Sequence, residues 1–187
     1  MTIKVYIDQG HNPRNPNAGA EGNGLREQDV VFQIGVETKR LLDRNPNFEA
    51  RLSRQTADII LGASNAESLQ IRVRQANEWG ADLFLSLHTN ASDNTDASGC
   101  EGLVYRRDSS AYAIAEDLLS SLSATTGLRN RGVFLRPGLF VLRRTAMPAV
   151  LLELGFITNQ RDAALLSGSP NLFAEGIYRG LLTYYGL

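Results

Sequence analysis

The sequence has very little cysteine and histidine and lacks long apolar runs, and these shortages exclude several classes of protein. Cys100 is the only cysteine in 187 residues, which excludes a disulfide framework and a cysteine-cluster metal site within one chain. No stretch approaches the roughly 20 apolar residues that a bilayer-spanning helix needs. The 19 basic and 20 acidic residues leave a formal net charge of −1, which argues against a general binder of nucleic acid.

The length and the composition are those of a globular domain. We expect residues 1–187 to form one domain that is large enough to bury a hydrophobic core. Hydrophobic residues make up 43% of the chain and charged residues 21%, values typical of folded proteins rather than disordered ones. The first residues lead directly into an apolar strand pattern, without the basic segment and long apolar core of a signal peptide. We therefore expect a cytoplasmic protein, one that leaves the cell by another route, or a piece cut from a longer precursor.

Strand-like and helical segments alternate along the chain. Short runs of apolar and β-branched residues predict strands at 3–7, 48–52, 82–88, 102–106 and 149–154. Apolar residues at helical spacing predict helices over about 27–42, 71–79, 110–123 and 170–185. Two further short segments, 133–135 and 140–142, have no assigned type. The alternation predicts an α/β fold in which a largely parallel sheet carries helices on both faces.

Polar side chains follow three of the predicted strands. The first strand leads into Asp8-Gln9-Gly10-His11, the strand at 82–87 ends in His88, and the strand at 149–152 ends in Glu153. Open parallel sheets bind their ligands at the carboxyl ends of the strands, and the only two histidines of the chain fall on this edge. Two imidazoles and a carboxylate are the ligand set of a catalytic zinc ion, which keeps a fourth position open for water.

The third metal ligand has to be chosen among four carboxylates, Asp8, Glu21, Glu27 and Glu153. Glu27 stands where a loop enters the first helix, and it can face the same edge of the sheet as His11. Glu153 ends an apolar strand, where burial raises the pKa of a carboxyl group unless a nearby metal offsets the effect. A raised pKa suits a general acid–base residue. We therefore assign Glu27 to the metal and Glu153 to the proton transfers.

These residues also have ordinary structural explanations. A histidine at a strand end is commonly a hydrogen-bonding residue, and Glu27 can stabilise the first turn of a helix through the helix dipole. Glu153 can be the buried partner of an arginine such as Arg136, Arg143 or Arg144. A phosphate-binding loop is not indicated, because the glycines near the first histidine form neither a dinucleotide fingerprint nor a Walker motif.

Four sequence blocks occur in the order found in a known enzyme family. They are residues 5–11 (VYIDQGH), 24–30 (GLREQDV), 85–91 (LSLHTNA) and 147–159 (MPAVLLELGFITN). With these blocks, the chain from about Ile3 to Tyr185 resembles the zinc-dependent N-acetylmuramoyl-L-alanine amidases of the type 3 amidase family, which are catalytic domains of autolysins, sporulation amidases and phage lysins. The resemblance implies a mostly parallel, roughly six-stranded sheet with flanking helices.

The resemblance also implies a site and a reaction. His11, Glu27 and His88 match the family's ligands to one Zn²⁺ per chain, and Glu153 matches its catalytic glutamate. The implied reaction is hydrolysis of the amide between N-acetylmuramic acid and L-alanine in peptidoglycan. Asn90 is our candidate for a hydrogen bond to a substrate amide. The resemblance implies action on the cell wall, either outside the cell or after release at lysis. We recognise no wall-targeting module in the chain, so the resemblance indicates catalysis but not targeting.

Two other functions remain open at this point. The first is a zinc exopeptidase on a similar sheet, although Arg14 stands where such carboxypeptidases have a glutamate three residues after the first histidine. The second is a non-catalytic module that binds the cell wall. A pure binder would have no use for the Glu153 carboxylate, which argues against the second function.

Overall fold

A central six-stranded sheet organises the protein, whose computed structural model describes residues 2–187. The sheet strands are β1 (Ile3–Gln9), β4 (Phe48–Leu52), β5 (Leu83–Asn90), β6 (Cys100–Val104), β7 (Asn130–Leu135) and β8 (Ala149–Phe156). A separate two-stranded ladder, β2 (Glu21–Gly22) and β3 (Leu25–Arg26), lies in the loop after β1. The helices are α1 (Glu27–Leu42), α2 (Asn65–Trp79), α3 (Ser110–Thr126), α4 (Phe140–Arg144), α5 (Gln160–Gly168) and α6 (Pro170–Tyr185).

The sheet is mostly parallel, as predicted. Its strand order is β4-β1-β5-β8-β6-β7. The first four strands in this order run parallel to one another, whereas β6 is antiparallel to β8 and parallel to β7. The first residues of β6 therefore lie at the same edge of the sheet as the last residues of β1, β5 and β8. The predicted α/β class is confirmed.

The strands are buried on both faces. Val5, Ile7 and Leu85 belong to a core that is covered by α1, α3 and α6, whereas Tyr6 and Phe84 belong to a second core beneath α2 and α4. Successive side chains of a strand point to opposite faces, which explains why these apolar runs are nearly continuous. Among residues 2–187, no helix combines the length and the apolar character needed to cross a membrane.

Local capping signals define several helix ends. The Ser64 side chain accepts a hydrogen bond from the Glu67 amide at the start of α2, and the helix ends at Gly80, whose φ is +66°. Replacing such a capping serine by alanine typically costs about 1 kcal/mol of stability. Gly80 adopts the left-handed conformation that glycine reaches without a Cβ penalty. These caps fix where α2 begins and ends, and thus which of its residues face the sheet.

Several sequence predictions differ from the structure. Strands β1, β5 and β8 continue to Gln9, Asn90 and Phe156, beyond their predicted ends. Helix α2 begins at Asn65 rather than near residue 71, because its first turns are mostly polar and the apolar period begins late. Helix α5 was not predicted at all, although the Asn159 side chain caps it by accepting hydrogen bonds from two backbone amides. Strand β6 begins at Cys100 rather than at residue 102. This last difference matters because it places Glu101 within the sheet.

Candidate active site

Two histidines and one glutamate converge at the carboxyl edge of the sheet. The Nε2 atom of His11 lies 3.1 Å from Oε2 of Glu27, and the Nδ1 atom of His88 lies 3.0 Å from Oε1 of Glu27. The two imidazole rings are 4.8 Å apart between centroids and nearly perpendicular. One ligand-capable atom from each of the three residues lies within 4.8 Å of the others. The structure thus brings together the three residues that the sequence predicted as metal ligands.

Glu27 is the most firmly held member of this cluster. It is the first residue of α1 and its side chain is 4% exposed. The Thr89 amide donates to Oε1 at 3.0 Å, and the Ala20 amide donates to Oε2 at 2.9 Å. Burial alone would raise the pKa of Glu27, but its hydrogen bonds with the two histidines bring it far below the ordinary value. The carboxylate is therefore ionised and oriented in advance.

His88 and Glu27 affect each other's protonation. Burial by itself would lower the pKa of His88, yet the Glu27 carboxylate that bonds to its ring raises it above the ordinary value. A metal ion at this position would compete with that proton, because a metal-binding imidazole has to be neutral at the ligating nitrogen.

Two glycines allow the ligand side chains to approach one another. A Cβ atom at Gly10 would lie 2.5 Å from Cε1 of His88 and 2.7 Å from the Leu87 carbonyl oxygen. A Cβ atom at Gly19 would lie 2.8 Å from Oε2 of Glu27. These separations are too short for any real side chain, so backbone packs directly against His88 and Glu27 on two sides of the cluster.

The donor set fits a divalent metal ion. Two imidazoles and a carboxylate arrive from three separate elements, as in three-ligand catalytic sites. The Nδ1 atom of His11 is also buried without a hydrogen-bond partner among residues 2–187, and an unsatisfied ring nitrogen is unusual in a protein interior. Both histidine side chains remain 20% exposed, so a ligand in this cluster can be reached from solvent.

Glu153 lies beside this cluster on the next strand. It is the register partner of His88 in the parallel β5–β8 pair, so both side chains point to the same face. Its Oε2 atom is buried and, within the described part of the chain, has no hydrogen-bond partner. Burial raises the pKa of Glu153 to about 7, the nearby carboxylates of Glu27 and Glu101 add to the increase, and His88 opposes it. Near neutral pH, this carboxyl group can both take up and release a proton.

Glu101 lies next to Glu153 at the same edge of the sheet. It was not identified from the sequence as a site residue. It lies directly opposite Glu153 in the antiparallel β6–β8 pair. The Arg131 Nε atom donates to Glu101 Oε1 at 2.5 Å, and the Asn90 amide donates to Oε2 at 3.3 Å. Only the reversed direction of β6 brings Glu101 to this edge, and no local sequence signal reveals that direction.

Asn90 lies at the rim of the site with part of its hydrogen-bonding capacity already used. Its Oδ1 atom accepts a hydrogen bond from the Ala91 amide at 3.0 Å, and one Nδ2 hydrogen points to Glu101. One Nδ2 hydrogen and one Oδ1 lone pair remain available to a ligand.

The other two carboxylates considered as metal ligands lie elsewhere. Asp8 is buried and paired with Arg72, and it also accepts a hydrogen bond from Ser86 at 2.8 Å. Glu21 is exposed in the small β2–β3 ladder. Neither joins the two histidines, which leaves Glu27 as the carboxylate of the cluster.

An apolar cavity of about 160 Å³ adjoins the histidines. Its other walls come from α2, β8 and the segment leading into α4, and they include Leu69, Leu139 and Phe140. A larger groove of about 630 Å³ lies between α3 and α6, but none of the candidate site residues lines it. The cluster of titratable side chains, and not the volume of the cavity, therefore identifies the candidate site.

The fold and the site together define an α/β protein with a candidate metal centre at the carboxyl edge of its sheet. The N-acetylmuramoyl-L-alanine amidase family matches residues 5–183, and the chain therefore belongs to that family. It is 36% identical over 188 residues to the N-acetylmuramoyl-L-alanine amidase LytC of Bacillus subtilis, an alignment that covers 97% of this chain and 35% of LytC.

Other similar proteins carry the same family name. CwlM of Bacillus licheniformis is 34% identical over 180 residues, which cover 95% of this chain and 65% of CwlM. The chain thus spans about a third of LytC and just under two thirds of CwlM. The solved catalytic domain of CwlV, the N-acetylmuramoyl-L-alanine amidase of Bacillus (Paenibacillus) polymyxa, superimposes with a TM-score of 0.86 at 30% identity and covers 99% of both chains.

Proposed function

We propose that residues 1–187 act as one catalytic domain, which uses one zinc ion to hydrolyse the amide bond between N-acetylmuramic acid and L-alanine in peptidoglycan. Membership of the amidase family supports the choice of bond. The observation that carries the proposal is the position of Glu153, whose unsatisfied buried carboxylate oxygen lies beside the His11–Glu27–His88 cluster. The site of action is then the cell wall.

In this proposal, His11, Glu27 and His88 hold the zinc ion. Bound zinc supplies Lewis-acid chemistry, which activates water and polarises an amide carbonyl. The amides of Thr89 and Ala20 keep the Glu27 carboxylate oriented, so little reorganisation is needed when the ion binds.

Glu153 moves the protons. Its carboxylate takes a proton from the water that attacks the amide carbon, and a carbon–oxygen bond forms. The same carboxyl group then gives a proton to the departing nitrogen of L-alanine as the carbon–nitrogen bond breaks. A pKa raised to about 7 by burial suits both steps near neutral pH.

Asn90 is the proposed substrate-binding residue. The hydrogen bonds with Glu101 and with the Ala91 amide orient its side chain, and the second Nδ2 hydrogen remains available to a substrate carbonyl.

The decisive experiment is digestion of purified peptidoglycan, followed by mass spectrometry of the products. We expect free stem peptides that begin with L-alanine, their loss on chelation, and their return when zinc is added. Intact stems at full zinc loading would overturn the proposal. Release of single amino acids from simple peptides would instead identify an exopeptidase, and tight binding to the wall without cleavage would identify a binding module.

A further inference from the structure

Arg72 is a fully buried cation next to the candidate metal centre. It takes no part in the proposed chemistry. It projects from α2, and only 1% of the residue is exposed. It forms an ion pair with Asp8 at 2.5 Å. Removing a guanidinium from water is costly unless its N–H groups find hydrogen-bond acceptors. The acceptors that Arg72 contacts therefore show which parts of the chain it holds in place.

The Arg72 guanidinium bonds to the main chain on both sides of Gly10. Its Nη1 atom donates to the Gln9 carbonyl oxygen at 2.7 Å, and its Nη2 atom donates to the His11 carbonyl oxygen at 2.5 Å. The Nε atom points at the Ser68 hydroxyl at 3.3 Å. Because the guanidinium is planar and rigid, these donors fix several acceptors relative to one another.

His11 needs such support because its backbone is strained. Its φ is +66°, in the left-handed region that residues with a Cβ rarely occupy. The conformation turns the chain sharply after β1 and directs the imidazole towards Glu27, 3.1 Å away. Relaxation of this residue to an ordinary conformation would move the ring out of the cluster.

We infer that Arg72 is a positioning residue for the metal centre, which holds the His11 carbonyl so that the imidazole is preorganised for the ion. This inference rests on the assignment of His11 as a zinc ligand in the proposed function. Arg72 itself does not contact the ligand atoms of His88 or Glu27. Outer partners of metal ligands typically change metal affinity by roughly 10–100-fold when they are altered.

The first test is the variant Arg72→Lys. Lysine keeps a positive charge opposite Asp8. Its single ammonium group cannot replace the two guanidinium nitrogens that donate to Asp8 and to the His11 carbonyl oxygen. We expect zinc affinity, measured by competition with a chromophoric chelator, to fall by about 10–100-fold. Amidase activity should recover at saturating zinc, because the positioning defect is offset once the ion is bound.

A matched control separates positioning from general stability. Leu118→Ala removes core volume from α3 on the opposite face of the sheet. It should lower the melting temperature while leaving zinc affinity unchanged. A double variant, Asp8→Asn with Arg72→Met, removes the buried pair without leaving an isolated charge, and it should show the same loss of zinc affinity as Arg72→Lys.

The outcomes distinguish this inference from the proposed function. If the wild-type protein binds no zinc, the metal assignment itself fails. If the wild-type protein binds zinc and a folded Arg72 variant binds it equally tightly, the positioning role is overturned. If both variants stay unfolded even in excess zinc, Arg72 supports the fold as a whole, and the specific role is overturned as well.

Discussion

Glu153 and His88 are register partners on neighbouring parallel strands, and both side chains point to the face of the sheet that α2 and α4 cover. The pairing places a buried carboxyl group next to an imidazole of the candidate metal centre. Because both residues belong to strands in the middle of the sheet, their relative position is held by ladder hydrogen bonds on either side rather than by a mobile loop. This rigidity suits the proposed function, in which a proton-transfer group and a metal ion act on the same amide bond.

The role of Glu153 can be tested with Glu153→Gln. The substitution keeps the shape of the side chain but removes the group that takes and returns the proton. We expect turnover of peptidoglycan to fall by about 10²–10⁴-fold, with zinc content and melting temperature close to those of the wild type. Glu116→Gln, at an exposed position on α3, is the control and should be fully active. Substantial activity of Glu153→Gln would remove Glu153 from the proton transfers.

Gly10 is expected to be essential for metal binding. In Gly10→Ala, the new methyl group would collide with the His88 ring and the Leu87 carbonyl oxygen, so the ring has to move away from the cluster. We expect zinc affinity to fall by at least 10-fold, as is typical when a ligand loses its orientation, measured by chelator competition. Gly138→Ala is the matched control, because a Cβ atom at Gly138 meets nothing within 4 Å. Equal zinc affinity in both variants would contradict the close packing described at Gly10.

The buried pair of Asp8 and Arg72 should make stability depend on acid pH. Burial would raise the pKa of Asp8, but the charge and hydrogen bonds of Arg72, together with the Ser86 hydroxyl, lower it below its ordinary value. A depressed folded-state pKa stabilises the protein above the unfolded pKa of about 3.9, and that contribution is lost as the pH falls through the folded value. Urea unfolding of the wild type between pH 7 and pH 3 should therefore show declining stability at the acid end.

The variant Asp8→Asn isolates this contribution. It leaves the Arg72 charge buried without its partner, which typically costs about 3–5 kcal/mol at neutral pH. The difference in free energy of unfolding between wild type and variant should be largest at pH 7 and should shrink below pH 4. A difference that stays constant down to pH 3 would show that ionised Asp8 does not stabilise the fold.

Zinc removal is expected to affect stability as well as activity. An ion that binds only the folded state stabilises it by about 2.7 kcal/mol when its free concentration is 100 times the dissociation constant. Chelation should therefore lower the melting temperature, and added zinc should restore it. His11→Ala, which lacks one proposed ligand, should show little response to either treatment. A wild-type melting temperature that is insensitive to chelator would argue against a zinc ion in this cluster.

The sequence alone predicted much of the fold because the relevant signals are local. Helix α1 and strand β4 lie where the apolar spacing predicts them. The α5 helix escaped detection because it is short and carries few apolar residues at helical spacing. The candidate site was also largely predictable, since His11, His88 and Glu153 each follow the apolar residues of a strand, although β5 continues to Asn90 and β8 to Phe156. The metal and catalytic roles of these residues remain predictions.

What the sequence by itself determined, then, is which residues form strands and helices and which polar groups stand at their ends, because burial and capping leave a periodic local pattern. Only the tertiary structure decided the order β4-β1-β5-β8-β6-β7 and the reversal of β6, which place Glu101 opposite Glu153. Only the tertiary structure joined Arg72 to Asp8 and to the backbone of His11 across more than 60 residues. Such pairings depend on which elements pack together, and local periodicity carries no information about the partner of a strand or of a buried charge.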